Sequence, residues 1–176
     1  RATPIWMKSI WVLVSGAPNE ASPTGSARTG FAVSTSSDGS PGFKTVGTAA
    51  LTFTPHPARL FAPERAPALI MSLDRRLELI AAAGIDIAVV EPFTRAFAAI
   101  EAPAFVNDVL ARDLRARDVV VGYDFSFGRG RAGDVRLLGQ LAPAAGIDVA
   151  VIPAVAVDGV TCSSGRIRAL VAAGDV

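Results

Sequence analysis

Residues 118–141, "DVVVGYDFSFGRGRAGDVRLLGQL", set a short apolar run, a glycine-rich loop and a helical pattern one after another. The run "DVVVG" is dominated by valine, a β-branched residue, and reads as a buried strand. Beyond the loop, "DVRLLGQLAPAAG" reads as a helix that Pro143 interrupts late. The next apolar run, "IDVAVIP", supplies a second strand, so the stretch spells strand, helix, strand.

Working outward, the same alternation recurs upstream. "TAALTF" is a strand, and "SLDRRLELIAAAG" is a helix capped by Ser72, with Asp74 in its first turn and Gly84 as its stop. Leu73, Leu77, Ile80 and Ala81 share the inner face of that helix. "IDIAVV" is the following strand, and "APAFVNDVLARDL" is a helix with Phe105, Val109 and Leu110 facing in. Downstream, "VAVDGVT" reads as a hairpin around Asp158-Gly159, and a last helix starts near Ser163. The pattern predicts an α/β fold, a mostly parallel sheet flanked by helices, over residues 46–176. Residues 1–45 are rich in Ser, Thr, Gly and Pro and are expected to be irregular or disordered.

Composition narrows the function. The chain has 176 residues, 51% hydrophobic and 19% charged, which suits one domain with a real core. A net charge of +1 gives no footprint for nucleic acid or a membrane surface. Cys162 is the one cysteine and His56 the one histidine, so neither a disulfide framework nor an all-protein transition-metal site is expected. The run "IWVLV" is far short of the ~20 residues of a membrane span. A leader reading of "MKSIWVLVSGA" competes with a reducing, cytoplasmic setting, and the second is the expectation here. The sequence leaves the oligomeric state open.

Ligands of doubly wound sheets bind beyond the carboxyl ends of the strands. Three loops fall there: "TPHPARLF", "GYDFSFGRGRAGD" and "TCSSGRIR". In the first, His56 stands between Pro55 and Pro57 in a turn expected to be too stiff to enter a helix. It either shapes a ligand cleft or is satisfied by a backbone hydrogen bond at the core edge. In the second, Gly128, Gly130 and Gly133 allow amides to face an anion. Phe125 and Phe127 lie two apart, so they either flank a planar ring or pin the loop as core residues. In the third, Ser163 and Ser164 are good cap residues, while Arg166 and Arg168 oppose the helix dipole. Their placement makes sense if an anion arrives there.

Taken together, "LTFTPHPARLFAP", "VVVGYDFSFGRGRAGD" and "SSGRIRALVAAGDV", in this order and spacing, resemble the FAD synthetase (FMN adenylyltransferase) module of prokaryotic bifunctional riboflavin kinase/FAD synthetases. The resemblance implies a Rossmann-like nucleotidyltransferase fold and transfer of AMP from ATP, with Mg²⁺, to FMN, giving FAD and pyrophosphate in flavin biosynthesis. It implies small nucleotides as partners. It places Pro55, His56, Pro57, Phe125 and Phe127 by the FMN, and Asp124, Gly128, Ser163, Ser164, Arg166 and Arg168 by ATP and its phosphates. Ser164 and Arg168 are then the catalytic pair, and no protein metal ligand is implied. The family's H-x-G-H turn has no match upstream of His56, Thr54 stands where an acid is common, and Gly165 stands where Thr is usual. The kinase module has no counterpart in these residues, so an inactive flavin- or nucleotide-binding fragment is the alternative expectation.

Overall fold

β-branched and alanine-rich runs build a sheet, and the amphipathic stretches between them cover it. The structure, a computed structural model, describes residues 12–17, 47–157 and 159–175. In chain order the strands and helices begin with β1 (Val12–Ala17), β2 (Gly47–Thr54), α1 (Pro57–Phe61), α2 (Leu73–Ala82) and β3 (Ile87–Pro92). Next come α3 (Arg95–Ala98), α4 (Ala102–Ala104), which continues in wide π-type turns over Phe105–Asp113, and β4 (Asp118–Gly122). The short strands β5 (Ser126–Phe127) and β6 (Gly133–Asp134) bracket the glycine loop and lead into α5 (Val135–Leu141). Strand β7 (Asp148–Ile152), the hairpin β8 (Ala156–Val157) and β9 (Val160–Thr161), and α6 (Ser164–Ala173) complete the described chain.

The main sheet has the order β3-β2-β1-β4-β7. β2 runs parallel to β3, with Thr54 opposite Pro92, and β4 runs parallel to β7, with Gly122 opposite Ile152. β1 is antiparallel to both β2 and β4. Strands β2 and β4 therefore point the same way, and the carboxyl ends of β2, β3, β4 and β7 share one edge. The loops after Thr54 and Gly122 open onto that edge, where a doubly wound sheet places its ligand.

Two expectations need correction here. Within 1–45, Val12–Ala17 form the central strand, in which Leu13, Val14 and Ser15 pair on both sides; residues 1–11 and 18–45 lie outside the described residues. The turn at His56 does enter a helix: Pro57 occupies the first helical position of α1, where its missing N–H is no loss. The hairpin after β7 forms as expected, although Asp158 lies outside the described residues.

The core lies between the sheet and the α4 region. Val106, Leu110, Val119 and Leu138 are 0% exposed, and Phe105, Phe125 and Phe127 are buried with them. A second, smaller cluster packs Ile80 of α2 against Ala50 and Ala88, while Ala81 faces outward. Ser72 Oγ accepts from Arg75 N at 3.2 Å and Gly84 takes φ +78°, so the cap and stop of α2 are as expected.

Candidate active site

The chain leaves β2 at Thr54 through a cis peptide to Pro55 and turns at His56 into α1. His56 Nδ1 accepts from Ala58 N at 3.1 Å, which caps the helix. Since Nδ1 accepts, the neutral ring carries its proton on Nε2 and keeps a donor there. The same ring lines a cleft of about 190 Å³ with Thr54 and Pro55. His56 is thus satisfied by a backbone amide and also lines this cleft.

Leu69 and Leu73 supply apolar lining, and Arg59 and Arg76 supply positive charge. Arg76 reaches from α2 to the end of β2, where Nη1 donates to Thr52 Oγ1 at 3.0 Å and to the Phe53 carbonyl at 3.2 Å. A volume near 190 Å³ falls below the ~300 Å³ at the small end of ligand sites. A cleft of that volume is too small to enclose a whole nucleotide.

Arg168 arrives from α6, one hundred residues away from its partner, and its Nε donates to the Ala68 carbonyl at 2.8 Å. Its Nη1 is shielded from solvent and has no hydrogen-bond partner among the described residues. Burial pushes the pKa of Arg168 down. It also pushes the His56 imidazole below its ordinary value, and Arg168, Arg76 and Arg59, in that order, push it further. The ion pairs of the described residues join Arg75 to Glu78, Arg112 to Asp108 and Asp113, Arg129 to Glu101, and Arg65 to Glu64. None of them engages Arg59, Arg76 or Arg168, so this corner is a cluster of cations about a neutral imidazole.

The third loop is built as expected. Ser163 Oγ accepts from Arg166 N at 3.2 Å and caps α6, so its hydroxyl serves the helix. Ser164 opens the helix half-buried, and Arg166 is exposed. The arginine that joins the other elements is Arg168.

The glycine loop departs from expectation. Phe125 and Phe127 are buried and stack on each other at 5.4 Å and 15°, and Phe127 also meets Phe105 at 5.4 Å. Buried and stacked in this way, they pin the loop as core residues. Gly128 takes φ +75°, and a Cβ there would stand 2.7 Å from Ala102 N; a Cβ at Gly133 would stand 2.7 Å from the Phe127 ring. These two glycines serve close packing. Arg129 N, Arg131 N and Ala132 N are bonded to Ile100 O, Gly128 O and Arg129 O, so none of these amides is left for an anion. Asp124, half-buried just beyond β4, stays at the carboxyl edge.

Three groups escaped the sequence reading. Arg59 and Arg76 look in sequence like solvated helix arginines, and only the fold turns them toward His56. Phe61, at the end of α1, is 53% exposed and meets Phe93 edge-on at 6.3 Å, so it offers an open aromatic face near the cleft. An aromatic residue five positions after a histidine that closely follows a strand is the signal that was available.

A sheet with this order, its helices, and a cation-lined cleft at the carboxyl edge define a Rossmann-like nucleotidyltransferase fold. A family model described as FAD synthetase matches residues 42–166, so the chain belongs to the FAD synthetase family. The bifunctional riboflavin kinase/FMN adenylyltransferase of Escherichia coli (strain K12) is 37% identical over 118 residues, covering 67% of this chain and 38% of that protein. The chain thus spans well under half the length of that relative. A relative from Geobacillus thermodenitrificans (strain NG80-2) is 37% identical over 131 residues, 74% of this chain and 68% of its own. A crystal structure titled as a macrolide-efflux protein from Streptococcus pneumoniae aligns with TM-score 0.62 at 22% identity, over 73% of this chain and 42% of that one. At that identity the likeness is one of fold alone.

Proposed function

We propose that the chain is an FMN adenylyltransferase, taking FMN and ATP as its Mg²⁺ complex and forming FAD and pyrophosphate. An FMN phosphate oxygen attacks the α-phosphorus of ATP, and the bond from that phosphorus to the bridging oxygen breaks. Such a transfer needs no covalent enzyme intermediate; the protein aligns the reactants and neutralises charge. The observation that carries the reading is Arg168, which links the start of α6 to the loop before α2 and sits beside His56.

In this reading the N–H groups at the start of α6, with Ser164 and Arg166, receive the ATP phosphates. Arg168 stands where the phosphates of the two substrates meet and neutralises the charge that builds there. Pro55, His56 and Pro57 shape the flavin side, and Phe61 offers an exposed aromatic face there. Asp124 and Gly128 set the course of the loop beside it. The described residues carry no H-x-G-H turn, so charge neutralisation falls on the arginines. Absence of a membrane-crossing helix among the described residues fits a soluble, cytoplasmic setting, which we propose with the activity.

Purified protein incubated with FMN, ATP and Mg²⁺ is expected to form FAD, followed by chromatography. No FAD above the blank at high protein concentration overturns the reading. Arg168→Ala is expected to weaken ATP by about 1–3 kcal/mol, the scale of a charge-assisted hydrogen bond. Arg131→Ala is expected to weaken it less, because Arg131 Nε is already held by Ser126 Oγ at 2.8 Å. Equal losses in the two variants count against the assignment of Arg168.

A further inference from the structure

Strand β7 closes one end of the main sheet, in the order β3-β2-β1-β4-β7. Its parallel pairing with β4 decides which of its backbone groups are used. Asp148 N donates to Arg117 O at 2.8 Å, and Ile152 O accepts from Tyr123 N at 2.9 Å. Asp148, Ala150 and Ile152 thus face β4 with their N–H and C=O groups, and Val149 and Val151, between them, turn theirs to the open side. Among the described residues no strand pairs with that side. The side chains are open as well: Val151, Ile152 and Tyr123 are 43%, 47% and 44% exposed, and Val155, just beyond the strand, is 61% exposed. Edge strands are commonly blunted by lysine, an inward-pointing charge or a bulge. β7 has a regular register and one charge, Asp148, at its first position.

We infer that β7 pairs with β7 of a second copy of this chain, antiparallel about a two-fold axis at Ala150, so that two five-stranded sheets become one. The outward groups are self-complementary in this register. Val149 of each copy faces Val151 of the other, and each pair exchanges N–H···O bonds in both directions, which satisfies the outward groups of both strands. Asp148 faces Ile152, so the acids stay apart, and the small Ala150 lies on the axis, where opposed side chains come closest. A slip of one residue sets outward groups against inward ones. A slip of two sets Val149 against Pro153, which has no N–H, or carries Val151 beyond the start of the strand. A foreign strand needs only an open edge; this match selects a second copy, and a net charge of +1 opposes it little. A five-residue edge covers less than the ~800 Å² per partner of a standard interface, so the exposed valines and Tyr123 add to it and the association depends on concentration. The inference is independent of the adenylyltransferase reading, because β1 and β4 stand between β7 and the end of β2 where the cleft lies.

Sedimentation equilibrium of the intact chain across roughly 1–100 µM is expected to show the mass rising from one chain toward two, the range of a transient interface. Ala150→Asp and Ala150→Lys each set like charges face to face on the axis, and each is expected to weaken association about fivefold or more. Ala150 is exposed, so both substitutions leave the core untouched. An equimolar mixture of the two variants sets opposite charges on the axis and is expected to recover association as a mixed dimer. That recovery also shows that each variant is folded. Val149→Pro removes an outward N–H and no bond to β4, a placement that edge strands tolerate, and is expected to abolish association. A parent that keeps the mass of one chain throughout the range overturns the inference and leaves the edge to a different partner. Association undiminished in both charge variants overturns it as well, because the copies then meet elsewhere. Association lost in both and not recovered on mixing overturns the axis at Ala150.

Discussion

At the scale of single residues, packing and chemistry make different demands on the glycines. Gly128 combines φ +75° with a Cβ position 2.7 Å from Ala102 N, a backbone atom that cannot swing away. Gly130 has φ +63° and open space around it. Gly128→Ala is therefore expected to cost about 3 kcal/mol or more, combining left-handed strain with overpacking. Gly130→Ala carries only the strain, about 1–2 kcal/mol. Urea unfolding of the two variants checks this, and equal costs would mean that the backbone at Gly128 has room to move. His56 yields a pH prediction. Its imidazole is harder to protonate in the fold than at its ordinary value of 6.5, through burial first and then Arg168, Arg76 and Arg59. Between the lowered value and 6.5 the unfolded chain holds more protons, so stability falls as pH drops below about 6.5. The loss levels off once the pH passes below the folded value. His56→Asn keeps an acceptor at the cap and removes the titration. Melting temperatures followed from neutral to mildly acidic pH should fall more steeply for the parent than for this variant, and parallel curves would show that His56 does not titrate as described.

At the scale of elements, the far edge of the sheet separates stability from function. Thr48 and Asp86 clamp the amino ends of β2 and β3: Thr48 N and Oγ1 both donate to Asp86 Oδ2, at 2.8 and 2.9 Å, and Asp86 N donates to Thr48 Oγ1 at 3.2 Å. Thr48→Val removes the hydroxyl and both of its bonds, at an expected cost of about 1–3 kcal/mol. The cleft lies at the opposite ends of the same strands, so FMN affinity at a temperature where the variant is folded should not change. A parallel loss of affinity would show that the two edges are coupled. The same elements show how far the sequence was legible. Strands β2, β3, β4 and β7 and helix α2 stood out because apolar runs and helical spacing are local signals. β1 did not, because "IWVLV" is followed by a stretch rich in Ser, Gly and Pro, and its partners lie far along the chain. α1 did not, because proline reads as a helix breaker unless its place in the first turn is known. The site divided along the same line. His56 and Arg168 were visible in motifs, whereas Arg59 and Arg76 join them only once α1 and α2 fold over the end of β2. Phe125 and Phe127 were ambiguous in sequence because a buried aromatic pair and a ligand platform have the same spacing.

At the scale of the whole molecule, α6 is the longest helix among the described residues that buries no residue. None of its residues is fully buried, and Ile167 and Val171 are 44% and 55% exposed. Its long-range polar tie among the described residues is the bond from Arg168 to Ala68. An element so placed opens locally at low free-energy cost while the sheet stays closed. Substrates that touch both α6 and the α1–α2 corner would then add the contacts that packing lacks. At a ligand concentration a hundredfold above Kd, linkage supplies up to about 2.7 kcal/mol of added protection. Hydrogen exchange is therefore expected to slow in α6 and in the loop around Ala68 when FMN and ATP are added, with β4 in the core unchanged. Arg168→Ala should exchange faster in α6 without ligand, and should lose most of the protection that ligands confer. Full ligand protection of α6 in that variant would mean that the helix is held by its own amino end, with Arg168 a bystander. Protection confined to the sheet would mean that the substrates never reach α6, and the proposed meeting of the two phosphates at Arg168 would fall with it.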